Sequence, residues 1–215
     1  MAAMPPGLVI WDWNGTLLDD TRLCYEIAEA MLADRRLPPL GGIERYQAVF
    51  RFPVIDYYRR MGYTFDTETY DDVSREFMRR YEKGVAACPL HVGARETIDA
   101  IHKRGIRQIL LSASGCEKLL REVARFGLTG SFERIIGTPD NLARGKADEV
   151  RAFFREDGLR PEGALMIGDT DHDWEIAAAL GCRCLLFIPG HHGEKRLRQF
   201  GAPLIACLPE ALDYL

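Results

Sequence analysis

No run of apolar residues in the 215-residue sequence reaches the ~18 that a membrane-spanning helix requires, so a membrane partner is not expected. Positive charge is also in short supply. Twenty-eight Lys and Arg stand against 32 Asp and Glu, a formal net charge of -4, and without a general basic field nucleic acid is not an expected partner. The six cysteines, Cys24, Cys88, Cys116, Cys182, Cys184 and Cys207, are scattered with no C-x-x-C pair, which argues against a disulfide framework or a zinc site and predicts reduced, structural thiols. The segment Met1-Ala2-Ala3-Met4-Pro5-Pro6 lacks the basic stretch and apolar run of a secretory leader, and a cytoplasmic location is expected. Repeats and low-complexity tracts are missing too.

What the chain does contain is a change of rhythm. Leu8 to Trp11 is an apolar run too short for a helix, bounded by Pro5-Pro6-Gly7 and Gly15, and reads as a buried strand. From about Asp20 to Ala87 only helical spacings occur. Leu23, Ile27 and Met31 recur at intervals of four behind a cap at Asp19, Asp20 or Thr21. A second helix starts near Gly42, a third is opened by Pro53, and Val73, Phe77, Met78 and Tyr81 mark a fourth that stops near Gly84. From Leu90 onward strands and helices alternate, with strands at Ile106–Leu111, Arg134–Ile136, Ala164–Ile167, Cys182–Phe187 and about Leu204–Ala206. Such alternation implies βαβ units. The expected fold is an α/β, three-layer Rossmann-like core with a mostly parallel sheet of roughly six strands and an inserted helical-bundle cap. The core takes residues 1–19 and 88–215, and the cap takes 20–87.

Several strands end in reactive groups. Asp12 closes the first strand just before a Gly-Thr turn, at the carboxyl end, where open α/β sheets place their ligands. A carboxylate there can attack phosphorus and ligate a hard cation. The run Ile109-Leu110-Leu111 ends in Ser112-Ala113-Ser114, Lys146 opens an amphipathic stretch, and Ala164-Leu165-Met166-Ile167 ends in Gly168-Asp169-Thr170-Asp171-His172-Asp173. Each alone has an ordinary structural reading; the ordered set of four is far less common.

From Leu8 to about Cys207 the chain resembles the haloacid dehalogenase-like phosphohydrolase superfamily, and Trp11-Asp12-Trp13-Asn14-Gly15-Thr16, Phe52-Pro53-Val54, Leu111-Ser112-Ala113-Ser114 and Gly168-Asp169-Thr170 resemble its phosphoglycolate phosphatase-like branch. The resemblance implies a Mg²⁺-dependent phosphatase acting on a small phosphorylated metabolite, with Asp12 as the nucleophile that forms an aspartyl-phosphate. Asp12, Asp169 and the Asn14 main-chain carbonyl are implied as metal ligands, with Asp173 beside them holding a metal water or Lys146. Ser112 and the Ala113 amide would donate to phosphate oxygens, and Lys146 would neutralise the charge developing on them. Trp13 offers its main-chain amide to phosphate or serves packing alone, and Ser114 with Gly115 caps the next helix. In the cap, Arg51 is either a solvated loop charge or a partner for a second anionic group of the substrate. Asp171 is read as a helix-terminal charge, His172 as a possible contact of the leaving group, and Gly190-His191-His192-Gly193 as a turn bordering the cleft without a metal. A monomer or weak dimer is expected.

Asn14 departs from the superfamily pattern, which generally carries a second Asp there as general acid and base. An amide cannot carry that proton. The implied outcomes are a slow phosphatase, one with substitute acid–base groups, or, from a different class, a catalytically weak phosphate-binding or regulatory protein.

Overall fold

The structure is a computed structural model, and it describes residues 6–138, 146–157 and 160–215. The sheet has six strands, β1 (Leu8–Trp11), β2 (Arg107–Gly115), β3 (Arg134–Thr138), β4 (Ala164–Gly168), β5 (Arg183–Phe187) and β6 (Leu204–Ile205). Their spatial order is β3-β2-β1-β4-β5-β6 and every pairing is parallel. The central strand β1 is therefore hydrogen-bonded on both edges, with Ile10 opposite Ile109 on one side and Met166 on the other.

Side chains alternate faces along each strand. Val9, Trp11, Leu165 and Ile167 pack on the face covered by α5 (Ala94–Lys103) and α6 (Cys116–Arg125). Leu8, Ile10, Ala164 and Met166 pack on the opposite face, against α7 (Lys146–Asp157) and α8 (Asp171–Leu180) through residues such as Val150, Phe153 and Ile176. Burial on both faces explains why the strands read as continuous apolar runs. Cys182 and Cys184 sit half-buried on this second face, and the described cysteines are free thiols.

Between Thr21 and Gly84 lie α1 (Thr21–Asp34), α2 (Ile43–Val49), α3 (Val54–Arg60) and α4 (Tyr70–Gly84). Their buried residues, among them Ile27, Met31, Tyr46, Val73 and Tyr81, join the same apolar cluster as Trp11 and Ile167, so the helical segment and the sheet share one continuous apolar core. The first helix of the alternating half begins at Ala94, α6 ends at Arg125 and α8 starts at Asp171. The larger departures from the expected boundaries are in the strands. β2 continues four residues past Leu111 to Gly115, with a register shift against β3, because the small residues Ser112 to Ser114 still fit the ladder although they carry no apolar signal.

Candidate active site

Asp12 extends β1 by one residue, its N–H donating to the Ile167 carbonyl at 2.9 Å, and its side chain is buried. From β4 come Asp169, and one turn later Asp173. The carboxylates of Asp12, Asp169 and Asp173 are all buried and offer ligand atoms within 4.8 Å of one another. Thr16 donates its hydroxyl to Asp169 Oδ1 at 2.9 Å and to Asp12 Oδ2 at 3.3 Å, and the His191 amide donates to Asp169 Oδ2 at 2.6 Å. Asp173 also closes a capping box at the start of α8, accepting from the Thr170 amide and hydroxyl. Burial, reinforced by the neighbouring Asp173 charge, pushes the Asp169 carboxyl up to about 6. Three clustered, buried acids repel one another, and a hard dication with oxygen preference fits this donor set.

Gly15 and Gly190, together with Gly168, on which a Cβ would collide with the Asp173 side chain, make the cluster possible. Gly15 turns with φ +76°, and a Cβ on it would run into the Asp169 carboxylate and stand 2.5 Å from His191 Cδ2. A Cβ on Gly190 would collide with the Asp169 side chain. All three positions need the bare backbone.

Asn14 occupies the centre of a second network. Its Nδ2 donates to Asp20 Oδ2 and to Tyr81 Oη, both at 2.8 Å, while its Oδ1 accepts from Ser114 Oγ at 2.9 Å and from Ser112 Oγ at 3.3 Å. Ser114 therefore spends its hydroxyl on Asn14 and does not cap α6, whose N-cap is Gly115. Asp20 likewise stands at the N-cap of α1 without capping it through its side chain. Its carboxylate is turned inward, accepting from the Gly15 amide (2.8 Å) and Tyr81 Oη (2.6 Å) and lying 3.3 Å from His191 Nε2. Burial would raise its pKa, but the bonds from His191, Tyr81 and Asn14 outweigh that and hold it below the ordinary value.

His191 belongs to this network. Its Nδ1 meets Tyr46 Oη at 2.9 Å, and although burial disfavours its charge, the bond and charge of Asp20, with Asp169 and Asp12, push it up to about 9. Stability from a raised imidazole is fully present below about 6.5 and is lost as pH rises towards 9. The metal-free protein should therefore lose melting temperature across this window, by several degrees, since about 1 kcal/mol moves a protein of this size by roughly 2–4 °C. Thermal melts in chelator at pH 6 and 9 should show a shallower loss for His191→Gln; an equal loss would exclude His191 as the titrating group. The next residue is different: His192 is fully buried, accepts from the Asp171 amide at 3.1 Å, reaches the Phe50 carbonyl at 3.0 Å, and is pushed down to about 4, mainly by burial.

The remaining expected residues fall in three groups. Ser112 and Ala113 line the cavity above Asp12. The buried Trp13 indole points into the core, donating to Glu122 at 2.8 Å, and is not among the lining residues. Arg51 and His172 are not among them either. Arg51 is half-buried near Asp171 and Arg196, and His172 lies against the Phe52 ring at 5.0 Å. Asp171 is in the first turn of α8, ion-paired with Arg196. The Lys146 side chain lies outside the described residues, although its backbone opens α7.

Sequence reasoning missed Asp20, Tyr81 and Lys118 as lining residues and placed His191 only within a turn bordering the cleft; all four line the cavity. Asp20 presents the ordinary signal of a helix cap, and the two histidines between glycines gave no sign of which would turn inward. Lys118 pairs with Glu122 at 3.2 Å, and its ammonium lies 4.3 Å from the centre of the Tyr81 ring.

Comparison with known proteins identifies the family and the fold. A phosphoglycolate phosphatase of Pseudomonas savastanoi pv. phaseolicola is 28% identical over 97% of this chain and 80% of its own length, and one of Rhodobacter capsulatus is 24% identical over 87% and 86%. The crystal structure of a predicted phosphatase from Clostridium acetobutylicum superposes with a TM-score of 0.80 at 16% identity, covering 97% of both chains, and so shares the fold. The family model of haloacid dehalogenase-like hydrolases matches residues 9–187. The chain belongs to the haloacid dehalogenase-like hydrolase family and is an enzyme of that family.

Proposed function

We propose that the protein hydrolyses phosphomonoesters of small metabolites by way of an aspartyl-phosphate on Asp12, with Mg²⁺ held by Asp12, Asp169, Asp173 and the Asn14 carbonyl. The observation that carries this reading is the buried Asp12–Asp169–Asp173 cluster at the mouth of the sheet, beside the hydroxyl of Ser112. Phosphatases among the relatives support hydrolysis over the binding-only alternative. When bound, the cation screens the attacking carboxylate from the phosphate oxygens and polarises the phosphoryl group.

The chain's own residues supply the rest. Asp12 is aimed out of the sheet and attacks in line, the bond from phosphorus to the ester oxygen breaking as the new Asp12 Oδ–phosphorus bond forms. Ser112 and the Ala113 amide hold the non-bridging oxygens, with Lys146 as the neutralising cation. Asn14 acts by position. With both amide hydrogens given to Asp20 and Tyr81, it has no proton for the departing oxygen, which takes one from solvent. Water then attacks the aspartyl-phosphate and releases inorganic phosphate and free Asp12. The helical segment at 20–87 closes over this chemistry as a cap.

Hydrolysis of p-nitrophenyl phosphate that requires Mg²⁺ is the test. Turnover that persists in chelator, or no turnover in either condition, refutes the reading. Asp169→Ala should raise the Mg²⁺ concentration for half-maximal rate by about tenfold or more, because one charged oxygen ligand of a hard cation is lost. An unchanged metal titration would remove Asp169 from the site.

A further inference from the structure

The cavity above Asp12 has a volume of about 180 Å³ and two unlike ends. The end at the sheet is polar and charged. The other is built by α3, α4 and the turn before α3, and Phe52, Tyr57, Tyr58, Tyr70, Phe77 and Met78 line it. Among the described residues that line the cavity, Lys118 and His191 are the only cationic side chains, and neither belongs to the helical segment. Both are already committed, Lys118 to Glu122 and His191 to Asp20. A leaving group bearing a carboxylate would be brought against aromatic walls with no opposite charge, a costly burial. The volume of about 180 Å³ covers both ends, and since an apolar cavity of about 150 Å³ takes up benzene, the aromatic end has room for at most about one ring. Two hydroxyls of that lining, Tyr57 Oη and Ser74 Oγ, are buried and have no hydrogen-bond partner among the described residues, and Tyr57 is the one carried by the aromatic wall itself.

We propose that the substrate is the phosphomonoester of an uncharged, mainly apolar alcohol of about one ring in size, whose body fills the aromatic end of the cavity and which offers Tyr57 Oη one hydrogen bond. The proposal builds on the phosphatase reading above and names its substrate class. It also sets this chain apart from its phosphoglycolate phosphatase relatives, because the glycolate leaving group is small and anionic.

Two measurements separate a failure of the substrate class from a failure of the phosphatase reading. Acetyl phosphate, too small to use the aromatic end, reports phosphoryl transfer alone. The class is tested by calorimetric binding, in Mg²⁺, of two non-hydrolysable compounds, benzylphosphonate and phosphonoacetate, which share the phosphoryl anchor and differ in an aromatic ring against a carboxylate. Benzylphosphonate should bind about tenfold tighter or better, the scale on which a pocket discriminates by one apolar group. Benzyl phosphate should exceed 2-phosphoglycolate in kcat/KM by a similar factor, a comparison of two alkyl esters that keeps leaving-group chemistry alike. Equal binding, or tighter phosphonoacetate, overturns the proposal whether or not acetyl phosphate is turned over. Met78→Lys, which places a cation in the wall, should narrow or invert the preference. If that variant does not fold, Tyr57→Phe serves instead. It should leave benzylphosphonate binding intact and weaken 4-(hydroxymethyl)benzylphosphonate, and an equal effect on both would remove Tyr57 from the recognition.

Discussion

Asp12→Asn should lower turnover on the order of a thousandfold or more, since an enzyme stripped of its nucleophile keeps only the rate that binding and electrostatics supply. The substitution is isosteric, and Thr16 retains its stronger partner, Asp169 Oδ1 at 2.9 Å, so the turn after β1 keeps its shape. The electrostatics move the other way from activity. Removing one of three buried carboxylates relieves repulsion with Asp169 and Asp173, and the metal-free variant should melt no lower than wild type. Intact-mass spectrometry after rapid quenching should find a phosphorylated species in wild type and none in the variant. A variant that retains more than a few per cent of the rate, or still carries phosphate, would place the nucleophile elsewhere.

Asn14→Asp should act in the opposite direction, raising hydrolysis of alkyl phosphates by about tenfold or more, because a positioned proton donor commonly contributes 10²–10⁴. The surroundings of Asn14 dictate how the gain appears. Asn14 Nδ2 lies 2.8 Å from Asp20 Oδ2, and an aspartate oxygen there would have to share one proton with Asp20. The pair would hold that proton to higher pH than an isolated carboxyl, so the gain should be largest on the acidic side of the profile. It should also be larger for alkyl esters than for p-nitrophenyl phosphate, whose leaving group needs little help. Adding Asp20→Asn restores an amide–carboxylate pair with the partners exchanged and removes the shared proton, so the gain of the double variant should be confined to lower pH than that of the single one. Profiles of kcat/KM against pH on both substrate types check this; no rise in either variant would show that the wild-type chain already has its proton donor.

Elements whose cause is local could be read directly. β1 and β4 are continuous apolar runs because both faces of a parallel sheet are covered, and their reactive ends, Asp12 and Asp169, follow at once. The four helices between Thr21 and Gly84 betray themselves by spacing and by Pro53 and Gly84. What could not be read depends on distant partners. Asp20 looks like any helix cap until Tyr81 and His191 are brought to it by the fold. The expected cap role of Ser114 gave way because Asn14, a hundred residues earlier, offers its hydroxyl a better partner. Trp13 was expected to offer its main-chain amide to phosphate or to serve packing alone, and what the sequence could not show is that the distant, buried Glu122 carboxylate draws its indole N–H inward.

The helical segment and the turn after β5 hold each other through polar bonds. Tyr46 meets His191, Gln47 donates to the Gly190 carbonyl at 2.8 Å, and the Phe50 carbonyl receives His192 and, at 2.6 Å, Arg196. Substrate preference is therefore not portable in the helices alone. A chimera that transplants 20–87 from a relative would bring foreign donors against Gly190, His191, His192 and Arg196, stranding buried polar groups at about 1–3 kcal/mol each. The exchangeable module is discontinuous, the helices together with residues 190–196, and grafts that respect this pairing should fold where simpler swaps fail.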